Sequence, residues 1–325
     1  MRTALYVLML VGLSTNTARA DFPETVRDHI LPGYAAFAQA TLALADTAAQ
    51  TCDPTALQPA YHAAYDAWMG VQHLRFGPVE TDGRVLSVLY WPDPKALGAR
   101  AQIALLTGSP ARLDAAAFAE QSVAARGLLS LERLLYPSDP LPADPCPLIR
   151  ATTTDLARVA ALIQADWQNG FAQTVSTAGE AGNTTFLTRP EARQVLFTQL
   201  ATGLEFLDDQ RLGRPLGSFD TPHPERAEAR ASGRSLRNVL LSLQAMRQMV
   251  ETLTPDAPET MAAFDHAIAL ANGLDDPVFA GVVAPPDRLK VEILQQAVVH
   301  LRKVVLSELA AEMDVGIGFN AADGD

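Results

Sequence analysis

The chain has 325 residues, with 25 Lys and Arg against 37 Asp and Glu, and a net charge of −12. Such an acidic chain, without a cluster of basic residues, is not expected to bind nucleic acid, because that binding depends on cations that contact phosphates. Alternating strand patterns of useful length are absent, whereas apolar residues recur at helical spacing. We therefore predict an all-α protein.

The first twenty residues have the pattern of a secretory signal peptide. Arg2 supplies positive charge, residues 4–13 form an apolar run, and Ala18-Arg19-Ala20 is a cleavage site. A helix that crosses a bilayer needs roughly 20 apolar residues, and no stretch of the chain provides them. We predict cleavage after Ala20 and a periplasmic protein of residues 21–325. The loss of Arg2 and Arg19 changes its net charge from −12 to −14.

Helical periodicity predicts nine long helices, and prolines predict where the chain divides. A proline-rich segment over residues 136–147 indicates a boundary between two halves of the chain. We predict two packed helical bundles, an N-terminal one over residues 21–140 and a C-terminal one over residues 141–325. The predicted helices cover residues 22–51, 54–75, 94–106, 113–135, 148–175, 190–211, 225–253, 256–272 and 286–313.

Cys52 and Cys146 are the two cysteines of the chain. An even pair in an exported protein predicts a disulfide, because the compartment is oxidising. Two buried free thiols are the alternative.

Polar and aromatic residues cluster at the end of the second predicted helix and in the loop that follows. Trp68 and Arg75 lie on one helix face. Either they form a terminal capping element with a core tryptophan, or the arginine points into a ligand cleft. Arg84 and the segment Trp91-Pro92-Asp93-Pro94-Lys95 follow, either as the rim of a pocket or as a loop anchored by a buried tryptophan.

Glu132 lies in a strongly apolar predicted helix, five residues after Gly127. It is either a solvated surface residue or a buried functional one. A glycine inside a helix costs roughly 1 kcal/mol relative to alanine, so Gly127 indicates close packing or access to a ligand.

Two further groups have the chemistry of metal ligands. His62 and Asp66 are four residues apart on one helix face, a spacing that suits a metal site or an ordinary surface contact. Asn320, Asp323 and Asp325 offer oxygen atoms near the C-terminus, in a tail that is either docked or frayed. The GxSxG, HExxH, Walker A and GxGxxG motifs are absent.

The sequence resembles the imelysin-like family of periplasmic proteins, in particular its branch of predicted lipoproteins and iron-regulated proteins. The resemblance rests on residues 68–78, 91–95, 127–135 and 318–325, together with Pro215-Leu216-Gly217 and Ser232-Gly233-Arg234-Ser235. It implies two duplicated four-helix units with a site in the cleft between them. It also implies a proposed peptidase activity and, for some relatives, a link to iron uptake.

The family signature, Gly-x-His-x-x-Glu, is altered in this chain. Gly127 and Glu132 match its ends, but Leu129 stands at the position of the histidine. Leucine has no group that binds a metal or transfers a proton. Glu132 is therefore only a weak candidate ligand for iron or another divalent metal, and it retains a predicted ligand-binding role with Arg75.

Three functions follow from the sequence. The favoured one is a non-catalytic periplasmic protein that binds a metal-related or small polar ligand in the cleft, with the link to iron uptake that the resemblance implies. The alternatives are an envelope module that binds another protein, including an iron-uptake component, and a peptidase of the imelysin type. The predicted ligand-binding residues are Trp68, Arg75, Arg84, Trp91, Asp93, Gly127, Glu132, Asn320 and Asp323.

Overall fold

The computed structural model describes residues 21–254, 256–313 and 315–316. Across these ranges the chain forms helices and turns and contains no strand, which confirms the all-α prediction. The longer helices are α1 (Leu31–Gln50), α2 (Pro54–Met69), α3 (Leu97–Leu106), α4 (Gly127–Leu135), α5 (Cys146–Asp166), α6 (Arg189–Phe206), α7 (Ser235–Leu253), α8 (Pro258–Gly273) and α9 (Pro285–Met313).

Helix starts follow local capping chemistry. The Asp53 side chain accepts a hydrogen bond from the Ala56 amide at 3.0 Å and Pro54 opens α2, the arrangement that residues 53 and 54 predict. At the start of α6, Thr188 and Glu191 form a capping box. Both devices satisfy amide groups that have no partner within the helix.

The first bundle consists of α1, α2, α4 and α5. Helix α1 packs against α2 and α5, and α4 packs against α2 and α5. Its core contains the fully buried Tyr34, Phe37 and Trp68. The predicted disulfide is confirmed: Cys52, before α2, is bonded to Cys146, the first residue of α5, with their Cα atoms 5.3 Å apart.

The second bundle consists of α6, α7, α8 and α9. Helix α8 packs against α7 and α9, and α9 packs against α6. The two bundles meet where α7 contacts α2. The division of the chain at residue 140 stays a prediction. Helix α5, which follows that point, packs against α1 and α4, which precede it.

Two predicted helices are shorter than the sequence indicates. Residues 113–135 do not form one helix, because Gly127 has a φ of +71° and begins α4 after several short turns. Residues 225–234 are not part of α7. Ala229 and Gly233 have φ values of +49° and +73°, which interrupt a right-handed helix. The second break lies beside the cleft described below.

No helix within the described ranges is long and apolar enough to cross a membrane. The disulfide is typical of proteins that mature outside the cytoplasm. The predicted signal peptide, residues 1–20, lies outside the described residues.

Candidate functional site

A cleft of about 650 Å³ lies between the two bundles. The first bundle contributes the loop around Trp91 and Asp93 and one face of α4. The second contributes residues 225–231, from the segment that precedes α7. Several of the residues named by the family resemblance therefore meet in one place. Its polar and aromatic lining consists of Trp91, Asp93, Glu132, Arg133, Arg214, Glu225, Arg226 and Arg230.

Gly127 fixes the start of α4 and hence the position of Glu132. A Cβ atom at Gly127 would lie 2.2 Å from the Val88 carbonyl oxygen and 2.4 Å from that of Ser87. Its positive φ also disfavours other residues. The glycine is therefore required by close packing of the backbone, one of the two roles that the sequence allows, and it does not itself line the cleft.

Glu132 is buried, with 6% of its surface exposed. Its Oε1 accepts two hydrogen bonds from Ser232, one from the amide at 2.8 Å and one from the hydroxyl at 2.6 Å. Burial raises the pKa of the carboxyl above its usual value, although the bonds from Ser232 oppose this rise. Ser232 belongs to the second bundle's loop, so this contact joins the two halves of the cleft.

Four arginines line the cleft with three carboxylates. All three carboxylates have partners. Glu132 is held by Ser232, and Asp93 accepts from the amides of Leu97 and Gly98 at 2.9 and 2.7 Å. Glu225 pairs with His223 and, at 3.7 Å, with Arg226. Arg230 is exposed, and none of its side-chain nitrogens bonds to a described residue. The cleft is therefore richer in donors than in acceptors, in a chain that is acidic overall.

A second cavity, of about 440 Å³, shares Trp91 with the cleft. It lies between the end of the first bundle's α2 and the second bundle's α6. The indole of Trp91 meets the Phe206 ring edge-on, with centroids 5.8 Å apart. Arg75 lines this cavity and not the cleft around Glu132. The structure therefore assigns Arg75 and Glu132 to separate compartments, contrary to the expectation that they act on one ligand.

A pair of buried histidines lies behind the second cavity. His29 and His73, each 4% exposed, face one another with their Nε2 atoms 3.3 Å apart. Burial lowers the pKa of His29 to about 4 and that of His73 well below its usual value. Both imidazoles are therefore neutral near pH 7.

His62 and Asp66 take part in an arginine network. The Asp66 carboxylate accepts from Arg234, at 2.5 Å, and also from Arg237. His62 Nδ1 accepts from Arg234 at 2.8 Å, and its Nε2 lies 2.8 Å from the Tyr136 hydroxyl. Since both ring nitrogens and both carboxylate oxygens already have partners, this pair is an interhelical contact and not a metal site.

The remaining predicted residues lie elsewhere. Trp68 is fully buried against Phe37 in the first bundle. Arg84 pairs with Asp166 at 2.6 Å and lines neither cavity of the proposed site. Asn320 and Asp323 lie outside the described residues.

The described residues do not fit a metal ion at Glu132. No three His, Cys, Asp or Glu side chains within the described ranges are grouped closely enough to hold one. The Oε1 atom of Glu132 is already occupied by Ser232, and Leu129 lies where the resemblance places the family's histidine. Metal sites in proteins usually have three or more protein ligands.

Several important residues could not be recognised in the sequence. Ser232 contacts Glu132 across 100 positions of the chain. Arg211 and Glu228 form an ion pair at 2.7 Å with 2% and 1% of their side chains exposed. Neither the Ser232–Glu132 contact nor the Arg211–Glu228 ion pair belongs to a recognisable sequence motif. The resemblance of residues 232–235 to the family was the one sequence signal that pointed to Ser232.

The comparisons with known proteins agree with this fold. The sequence profile of the imelysin (peptidase M75) family matches residues 30–305. No curated protein matches the chain. An imelysin-like protein from Psychrobacter arcticum 273-4 is similar in structure, with a TM-score of 0.76, 20% identity, and coverage of 92% of this chain and 96% of the other.

A second solved structure, a candidate iron-regulated protein A precursor from Parabacteroides distasonis ATCC 8503, has a TM-score of 0.65 and 14% identity. The structural match covers 87% of this chain and 92% of the other chain. At these identities the two structures establish the fold alone. The family profile spans most of the chain, so this protein belongs to the imelysin family.

Proposed function

We propose that this protein is a non-catalytic periplasmic binding protein whose cleft between the bundles takes a small hydroxycarboxylate, either free or as a chelate of iron. The observation that carries the proposal is Glu132, a buried carboxylate that lines the cleft and is held by Ser232 from the opposite bundle. The predicted signal peptide and the disulfide support the periplasmic location.

Glu132 is suited to bind a hydroxyl group of the ligand. Its Oε1 is occupied by Ser232, while its Oε2 has no partner among the described residues. An ionised Oε2 accepts a hydrogen bond from a ligand hydroxyl, and a protonated one donates to an oxygen. Burial raises the pKa of this carboxyl and so shifts the balance toward the protonated form.

The arginines are suited to bind carboxylates. Arg214, Arg226 and Arg230 line the same cleft, and guanidinium groups bind carboxylates through paired hydrogen bonds. Arg133 also lines it, but its Nε and one Nη already donate to Gln102 and Ala124. Arg214 lies over the Trp91 ring, with its Cζ atom 6.0 Å from the centroid, which restricts its position. A ligand with one hydroxyl and several carboxylates matches this lining.

Iron is compatible with this site only as part of the ligand. The described residues do not offer a set of protein ligands for a bare ion, but a carboxylate chelate brings its own. The relative named as a candidate iron-regulated protein A precursor supports the connection with iron. We assign Glu132 a binding role, because Leu129 stands where the resemblance places the family's histidine and has no group that transfers a proton.

Calorimetric titration of the chain from Asp21 onwards with citrate tests the proposal. Tricarballylate, which lacks the hydroxyl of citrate, is the control ligand. A separate titration uses ferric citrate. We expect citrate to bind more tightly than tricarballylate and Glu132→Ala to abolish that preference. Arg230→Gln should weaken citrate binding about tenfold, since one charged hydrogen bond contributes about 1.5 kcal/mol or more.

The control is Arg27→Gln, which removes an exposed arginine that pairs with Asp28 and does not line the cleft. It should leave citrate binding unchanged. Tighter binding of ferric citrate would identify the chelate as the ligand, and equal binding would identify the free acid. No binding of either form, or equal weakening by Arg27→Gln and Arg230→Gln, would refute the proposal.

A further inference from the structure

We propose that the cavity behind Trp91 is a second binding site, which takes a small organic carboxylate with an apolar body. The cavity has a volume of about 440 Å³, which is within the usual range for small-molecule sites. It does not contain Glu132 or the arginines of the cleft. The inference is therefore independent of the proposed function.

Arg75 is the group that indicates an anion. Its Nε donates to the Gln72 carbonyl oxygen at 2.9 Å, but its two terminal Nη groups have no partner among the described residues. No acidic side chain in the described ranges forms an ion pair with it. Arg75 is half-buried, and burial of a guanidinium without a paired carboxylate is unfavourable; a bound carboxylate would supply both the charge and the acceptors.

Two neighbouring side chains offer further hydrogen-bonding groups. Gln199 is 7% exposed, and its Oε1 accepts from the Arg75 amide at 2.7 Å. This bond leaves the Gln199 Nε2 as a donor without a partner in the described chain. The Nδ1 atom of His73, which is buried and lines the same cavity, also has no partner. Buried polar groups of this kind are normally satisfied.

The remaining walls are apolar and define the body of the ligand. Leu89, Trp91 and Phe206 surround the space beside the polar groups, with the exposed Leu86 at its edge. Aromatic and aliphatic walls with a few fixed polar groups at one end are typical of sites for small organic molecules. An arylalkyl acid, with its carboxylate at Arg75 and its ring against Trp91 and Phe206, fits both parts.

The test is calorimetric titration of the protein with 4-phenylbutyrate and with its neutral amide. We expect the acid to bind at least tenfold more tightly than the amide. Arg75→Gln should remove this preference, whereas Arg75→Lys should retain part of it because the charge is kept. Arg230→Gln, which changes the Glu132 cleft, should leave binding of the acid unchanged.

A second variant avoids dependence on Arg75, whose replacement could disturb the fold. Thr202 lines the cavity, and Thr202→Leu fills space there while Arg75 itself is unchanged. It should weaken binding of acid and amide alike. The proposal is overturned if acid and amide bind equally, if neither binds at millimolar concentration, or if Arg230→Gln weakens the acid as much as Arg75→Gln does.

Discussion

Gly127 shows how one residue places a functional side chain. Its positive φ and its approach to the Val88 and Ser87 carbonyl oxygens set the point where α4 begins. Glu132 follows five residues later, and its carboxylate reaches Ser232. The glycine of the family signature is thus a requirement of backbone packing, and the glutamate is the part that faces a ligand.

Replacing Gly127 with alanine should lower the free energy of unfolding by about 3 kcal/mol or more. The left-handed backbone contributes roughly 1–2 kcal/mol, and overpacking against two carbonyl groups contributes the rest. Urea denaturation measures the change. Gly233→Ala is the matched control, because Gly233 has a φ of +73° but nothing within 4 Å of an added Cβ. It should cost about 1 kcal/mol; equal losses in the two variants would contradict this explanation.

The buried His29 should make stability depend on pH. Its folded pKa of about 4 lies below the ordinary 6.5, so the unfolded chain binds a proton that the folded chain does not. Stability is complete above pH 6.5 and falls as the pH decreases toward 4, by up to about 1.4 kcal/mol per pH unit.

The His29→Gln variant should therefore show a shallower fall in unfolding free energy between pH 6.5 and 5 than the unmodified protein. Denaturation curves across this range measure the two slopes. Glu132 has a raised pKa and acts in the opposite direction, with stability lost as the pH rises. This contribution is present in both proteins and cancels in the comparison. Identical slopes would show that His29 is not held neutral by burial.

Among the helices, local sequence patterns specified most of the structure. The starts of α2 and α6 follow from Asp53-Pro54 and from the Thr188 capping box. Periodicity failed at residues 113–126 and 225–234. The first break ends at Gly127, which packs against the carbonyl oxygens of Val88 and Ser87. The second forms a wall of the cleft, where Ser232 contacts Glu132, 100 residues away. Helical spacing carries no information about such contacts.

The disulfide joins the start of α2 to the start of α5, across 94 residues. Replacing both cysteines with serine should lower the free energy of unfolding by about 4–5 kcal/mol, because the unfolded chain regains the entropy of a long loop. Chemical denaturation of the double variant and of the reduced parent protein measures this loss. The two should agree. A loss below about 1 kcal/mol would show that the cross-link adds little to the packing of α1 against α5.

For the whole molecule, Arg211 links the bundles. Its guanidinium binds Glu228 and Ser242 of the second bundle, at 2.7 Å each, and Gln72 of the first at 3.1 Å. A buried, fully bonded arginine between two bundles restricts their relative position, because each of its partners would otherwise be left unsatisfied. The geometry of both cavities depends on that position.

Removing Arg211 alone should be costly. Arg211→Met leaves Glu228 buried without its ion-pair partner and should lower the free energy of unfolding by about 3–5 kcal/mol. The double variant Arg211→Met/Glu228→Gln should be more stable than Arg211→Met, since the uncompensated charge is gone. Urea denaturation of the single and double variants forms a thermodynamic cycle. Strictly additive losses would show that the two residues stabilise the protein independently.

A polar ligand between the bundles should contact both of them, and amide hydrogen exchange measured with and without saturating citrate detects such contacts. We expect slower exchange in residues 91–98 and 129–133 of the first bundle and, at the same citrate concentration, in residues 225–232 of the second. Unchanged exchange, or protection confined to one bundle or to the α8–α9 surface, would contradict a ligand site in this cleft.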